Sequence, residues 1–223
     1  MIARGLHITV EGIDGSGTTT QARQLVAWLV DRGTDAWLTS EPSEGGLGQV
    51  LRGALRGDDA YDPTTVALLY AADRVEHLRK EIVPRQTSGV HVISDRYVYS
   101  SLAYQSTTRP LSWIGETNRF APEPDLTIYV RVDVETAAAR RALRGGDPEL
   151  FDALDLQRRI AQAYDEILGA EPAAPHWTQV AGRRGRVAVI DGGDTIDSIQ
   201  TKLRHLIDEA LARGPKGPPP KET

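Results

Sequence analysis

The chain has 223 residues and a formal charge of −5, from 31 acidic and 26 basic side chains, and it contains no cysteine. That length suits one sizeable core, and the missing cysteine excludes disulfides, thiolate metal sites and cysteine nucleophiles. The acidic balance argues against a polynucleotide partner, which needs a clustered basic surface, and no run approaches the ~20 apolar residues of a membrane span, so a cytoplasmic, untargeted protein is expected.

The first element is a short apolar strand, Leu6–Glu11, running into a glycine-rich turn. A helix over Thr19–Asp31 follows, with Ala22, Leu25, Val26 and Leu29 on one face and Gly33 as its left-handed stop. Strand Asp35–Ser40 and a helix after Gly48 that carries Arg52 come next. Pro63 opens a longer helix whose apolar face is Val66, Leu69, Tyr70, Val75, Leu78 and Ile82, with its end expected at Pro84. Strands Val90–Ser94 and Leu126–Val132 follow, and Asp133 caps a helix through Leu143. Gly145-Gly146-Asp147-Pro148, flanked by Arg140, Arg141 and Arg144, is the best candidate for a mobile loop. Strand Val187–Asp191 leads to a last helix striped by Ile196, Ile199, Leu203, Leu206, Ile207 and Ala210 and stopped at Gly214. The tail 214–223, GPKGPPPKET, is expected to be disordered.

Short apolar strands alternating with amphipathic helices predict an α/β fold, a parallel sheet with helices on both faces, in one domain over residues 1–213. The histidines at 7, 77, 91, 176 and 205 lack ligand spacing, so no structural metal is expected.

Gly12-Ile13-Asp14-Gly15-Ser16-Gly17-Thr18-Thr19 follows a strand and opens a helix, matching G-x-x-x-x-G-K-[ST] in spacing and context. Glycines let backbone N–H groups turn toward phosphate oxygens, the helix start adds partial positive charge, and Thr19 offers a hydroxyl to Mg2+. Gly12, Asp14, Gly15, Ser16, Gly17, Thr18, Thr19 and Thr20 are therefore the expected nucleotide loop. The lysine position holds Thr18. A cation about 4 Å from a phosphate charge contributes roughly 4 kcal/mol at an effective dielectric of 20, on the order of a thousandfold in rate, so another cation must substitute or turnover is slow.

The segments EGIDGSG, LLYAADRVEHLRKEIVP, SDRYVYSSLAYQ and PEPDLTIYV occur in that order. Together they resemble the thymidylate kinase family, within the P-loop nucleoside-monophosphate kinases, over nearly the whole chain to about residue 211. The resemblance implies the five-stranded parallel sheet of the P-loop NTPase type, transfer of the γ-phosphoryl of ATP to dTMP with Mg2+, a lid at about 140–150, and a homodimer. Residue by residue, it implies that Asp14 bonds the acceptor's sugar 3′-hydroxyl and that Tyr70 stacks on thymine beside Arg74. It gives Arg52 to the acceptor phosphate, places Arg96 across donor and acceptor phosphates, and has Asp95 help hold Mg2+ with Thr19. Ser100, Ser101 and Gln105 line the thymine pocket, and Tyr104 closes the sugar side.

Plainer readings stand beside these: Tyr70 as a core residue, Arg52 as a solvated helix charge, and Asp95–Arg96 as a salt bridge. The chain departs from the family pattern at Thr18 and at Ser40, which replaces an arginine in a T-R-E-P segment. Arg140, Arg141 and Arg144 stand where relatives place lid arginines, and Arg141 and Arg144 are the candidate catalytic substitutes. Two other functions remain open at this level: a nucleotide-binding homologue with little turnover, and a kinase for another monophosphate such as dUMP.

Overall fold

The computed structural model describes residues 3–145, 150–171 and 173–215. In chain order it forms β1 (His7–Glu11), α1 (Thr18–Asp31), β2 (Ala36–Ser40), α2 (Gly46–Arg56) and α3 (Pro63–His77). A π-helical turn (Leu78–Ile82) joins α3 to α4 (Val83–Thr87), followed by β3 (His91–Asp95), α5 (Val98–Gln105), α6 (Leu111–Thr117) and β4 (Leu126–Arg131). The chain ends with α7 (Val134–Arg144), α8 (Leu154–Leu168), β5 (Ala173–Val180), β6 (Arg183–Asp191) and α9 (Ile196–Arg213).

The strands form one sheet in the order β2-β3-β1-β4-β6-β5. Every pairing is parallel except β5 with β6. Six strands therefore replace the expected five, and the sheet is mixed at one edge. The turn explains the sixth: Ala181 and Gly182 both have positive φ, 49° and 77°, the geometry that lets a two-residue link close a hairpin. Pro175 sits in β5, where the edge position leaves its missing N–H without consequence. The long helix opened by Pro63 also runs past its expected end, because the π-helical turn before Pro84 shifts the hydrogen-bond register where proline has no N–H to give.

β1 is buried along its whole length because helices cover both sides. On one side Ile8, Val10, Ile93, Ile128 and Val130 pack with Leu25 and Leu29 of α1 and Leu203 and Ile207 of α9. On the other, Val92, Tyr129 and Val189 pack with Leu102 of α5 and Ile160 and Tyr164 of α8. Asp133 caps α7 as expected, its carboxylate accepting from Thr136 N–H, and Gly214 ends α9 at φ 71°. No described helix is long and apolar enough to cross a membrane. Residues 146–149 of the expected lid and 216–223 of the expected tail lie outside the described residues.

Candidate active site

The parallel strands end on one edge of the sheet, where ligands bind in open α/β folds. From β1 the chain turns through residues 12–17 into α1. Gly15 and Gly17 take φ of 90° and 96°, and a Cβ on Gly15 would lie 2.3 Å from the Ala137 carbonyl oxygen, so α7 packs directly on the loop. Loop and α1 start line a cavity of about 330 Å³ with Arg96, Arg140, Arg141 and Asp194, and Thr18, Thr19 and Thr20 all reach its wall.

A second cavity, about 160 Å³, lies beside it, lined by Tyr70, Arg74, Ser100, Ser101, Tyr104 and Gln105 together with Glu41, Pro42, Leu55 and Phe151. Asp14 and Arg96 belong to both walls. Arg96 sits at φ 71°, a left-handed conformation that costs a non-glycine residue roughly 1–2 kcal/mol. The bond from its N–H to the Val10 carbonyl holds it there. Its guanidinium donates to Gly12 O at 2.7 Å and to Asp14 Oδ1 at 2.8 Å. Burial alone would lower the pKa of Arg96, but Tyr104 and Asp14 hold it well above the ordinary arginine value, so the cation is permanent. Asp14 Oδ2 also accepts from Tyr104 at 2.9 Å and Gln157 at 3.0 Å. Burial pushes the Tyr104 phenol well up, which keeps it a donor.

The smaller cavity is braced from below. Arg74, 1 % exposed, donates from Nε to Glu41 at 2.8 Å, from Nη2 to Ser101 at 3.0 Å, and from Nη1 to Asn118. Burial would raise the Glu41 carboxyl, yet Arg74 and His77 bring it below the usual range. Gln105 leaves Oε1 buried with no hydrogen-bond partner. Such an acceptor suits the N–H of a ligand.

The expected site residues come together with two exceptions. Arg52 lies in neither wall. Its guanidinium donates to Ser43 O at 2.6 Å, Pro42 O at 2.9 Å and Glu44 Oε1 at 2.5 Å, tying down the loop behind Pro42. Arg144 ends α7, and its side chain lies outside the described residues. Arg141 points into the site. It is 11 % exposed in an ion pair with Asp152, and its Nη1 donates to the Asp14 carbonyl.

Thr19 Oγ1 donates to Asp95 Oδ2, and Asp95 Oδ1 is buried without a partner. A hydroxyl and a spare carboxylate oxygen beside a phosphate loop are the hard oxygen donors Mg2+ takes, with phosphates and water completing its shell. These residues fit that ion.

Sequence reasoning missed Glu41, Asn118, Phe151 and Gln157, and it gave Glu11 no role. Glu11 carried a local signal, a carboxylate at the end of a short strand directly before the glycine turn.

The sequence profile of the family described as Thymidylate kinase matches residues 10–178. The probable thymidylate kinase of Pyrococcus horikoshii is 42 % identical over 167 residues, 72 % of this chain and 82 % of that protein. The putative thymidylate kinase of Aeropyrum pernix is 37 % identical across 92 % of this chain and 96 % of its own, and the probable thymidylate kinase of Thermococcus onnurineus is 40 % identical across 93 % and 100 %. The solved structure of thymidylate kinase from Candida albicans superposes with a TM-score of 0.79 at 24 % identity, over 99 % of each chain, a likeness of fold.

Proposed function

Because this chain belongs to the thymidylate kinase family, we propose that it transfers the γ-phosphoryl group of ATP to dTMP, giving ADP and dTDP for dTTP synthesis. The supporting observation is the pair of cavities that share Asp14 and Arg96 as a common wall. In this reading the phosphate loop takes ATP and the second cavity takes dTMP. An oxygen of the dTMP phosphate attacks the γ-phosphorus, the bond to the bridging β-phosphate oxygen breaks, and no covalent enzyme intermediate forms.

Arg96 balances charge between the two phosphates. Asp14 receives the sugar 3′-hydroxyl and Tyr104 bounds the sugar. Tyr70 stacks on the base, Arg74, Ser101 and Gln105 meet its edge, and Ser100 lines the same cavity with its hydroxyl turned to Glu11. Thr19 and Asp95 hold Mg2+, which supplies charge neutralisation along the phosphates. With Ser40 in place of an arginine, Arg96 is the cation for the acceptor phosphate, and Arg52 acts only through the loop whose Pro42 and Ser43 carbonyls it holds. Arg141, already touching the loop carbonyl of Asp14, takes over the charge Thr18 lacks, a role the sequence also offers to Arg144.

The same reading makes the protein a cytoplasmic homodimer. Leu68 and Val75, two turns apart on α3, are 48 % and 46 % exposed and offer an apolar contact face.

Coupled ADP release with ATP, Mg2+ and dTMP tests the reaction, with Thr18→Lys run alongside and dUMP as control acceptor. dTMP-dependent turnover by the unmodified chain is expected, with kcat/KM about tenfold or more above dUMP, since a methyl in a fitted pocket contributes about 1–3 kcal/mol. Turnover only in Thr18→Lys would move the reading to a nucleotide-binding homologue with a disabled donor loop.

A further inference from the structure

Glu11 ends β1 immediately before the phosphate loop and is fully buried. Its Oε2 accepts from the Ser100 hydroxyl at 2.6 Å and from the Tyr164 hydroxyl at 3.2 Å. The two hydroxyls are themselves 2.7 Å apart, and Glu11 Oε1 is buried with no hydrogen-bond partner. A core carboxylate using half of its acceptor capacity is costly. The two other side chains on its face of β1, His7 and Thr9, are also polar and buried, but each has a partner, Ser94 and Thr127, whereas Glu11 leaves one oxygen unpaired.

Above this carboxyl stands Arg96. Its Nη1 lies 3.4 Å from Ser100 Oγ and 2.7 Å from Gly12 O. Ser100 has a single proton to give. Given to Glu11, that proton leaves a serine lone pair for the Arg96 N–H, while the single Tyr164 proton is shared between Ser100 at 2.7 Å and Glu11 at 3.2 Å.

We propose that Glu11 is a positioning residue for phosphoryl transfer: by drawing the Ser100 proton it turns the Ser100 oxygen toward Arg96 and holds that guanidinium between the two cavities. Glu11 touches neither nucleotide, and the assignment rests on the kinase reading above. The groups that face it are Ser100 and Tyr164 by hydrogen bond, from α5 and α8, and Arg96 and Arg74 by charge. Burial raises its carboxyl to about 7 against the opposing pull of Ser100, Arg96 and Arg74, so both forms exist at working pH. Once protonated, Glu11 becomes a donor to Ser100, and the serine proton is no longer committed to the carboxylate.

Steady-state turnover of dTMP from about pH 5.5 to 8.5 reads this coupling. Glu11→Gln should lower kcat about 10- to 100-fold while both KM values stay within about threefold, the loss expected for one charge-assisted contact felt in the transition state. The acid limb of kcat, near pH 7 in the unmodified enzyme, should disappear with it. Ser100→Ala should lower kcat similarly, and the double variant should be no slower than the slower single.

An unchanged kcat, a loss confined to KM, a persisting acid limb or additive losses would each overturn the proposal. If Glu11→Gln does not fold, Ser100→Ala decides, and an unaltered kcat there overturns it. Absence of dTMP turnover in the unmodified chain would refute the kinase reading instead. The coupling is then read from the Arg96 Nε–H resonance, which should titrate near pH 7 in the unmodified protein and stay flat in Glu11→Gln; the same titration in both would reject it.

Discussion

The two cavities that meet at Asp14 and Arg96 are built in opposite ways. The larger one is shaped by backbone: a glycine turn, a helix start, and arginines that arrive from α7. The smaller is shaped by side chains locked to one another, with Arg74 tied to Glu41, Ser101 and Asn118 beneath its floor. A backbone cradle binds any triphosphate tail and tolerates the loss of one cation. A side-chain network fixes one outline and fails when a member is removed. The departures from the family pattern at Thr18 and Ser40 fall at positions the resemblance gives to phosphate charge, whereas Tyr70, Arg74, Ser101 and Gln105 of the smaller cavity keep that pattern.

Removing the shared cation should therefore do the most damage. Arg96→Ala is expected to lower kcat about a thousandfold, since a cation near 4 Å contributes roughly 4 kcal/mol at an effective dielectric of 20, with the fold intact by circular dichroism. A loss confined to the KM for dTMP would place Arg96 on the acceptor side alone. Arg141→Ala tests the donor side. A fall of about 100-fold in kcat is expected, recovered in part by Thr18→Lys in the same chain. An Arg141→Ala variant with full turnover would remove that residue from the donor machinery.

The side-chain cavity predicts a stability effect where the loop predicts none. Arg74→Ala leaves the buried Glu41 carboxylate without its guanidinium, and breaking a buried pair from one side costs about 3–5 kcal/mol. Urea denaturation should show that loss, while Arg141→Ala should move the midpoint little. Equal destabilisation by both would erase the distinction between cradle and network.

Glu11 lies under the junction and gives the comparison a pH axis. Its folded pKa, about 7, is above the ordinary carboxyl value of 4.5. The folded state therefore holds the extra proton between those values, and stability falls as pH rises through them. Glu11→Gln should remove that fall, making the variant more stable than the unmodified chain above pH 7 relative to pH 4.5, by about 3 kcal/mol at most. Parallel stability curves for the two proteins would show that this carboxyl does not titrate between those limits.

The sequence made one cavity more legible than the other, for physical reasons. The loop is local: glycine spacing, a strand before it and a periodic helix after it place residues 12–20 without tertiary information. The network is not. Arg74 and Asn118 are 44 residues apart, and Gln157 reaches Asp14 across 143, so no local pattern could join them. Motif resemblance recovered Arg74, Ser101 and Gln105 but not Glu41 or Asn118, which only the fold brings beneath them. The same limit hid β5, whose proline and polar residues carry no strand period until β6 pairs with them. It hid α8 as well, whose buried face includes Gln157.

Asp14 belongs to both constructions. Its carbonyl accepts from Arg141 on the donor side, and its carboxylate accepts from Tyr104 and Gln157 on the acceptor side. Tyr104→Phe removes one acceptor-side bond and keeps the ring that lies 5.2 Å from the Arg96 guanidinium. A hydrogen bond of this kind contributes about 0.5–1.5 kcal/mol, or about two- to tenfold. If the two cavities are separate at Asp14, that factor should appear in the KM for dTMP while the KM for ATP stays unchanged. A matching rise in both would mean that the carboxylate also sets the loop carbonyl, and that side chains reach into the backbone cradle through this single residue.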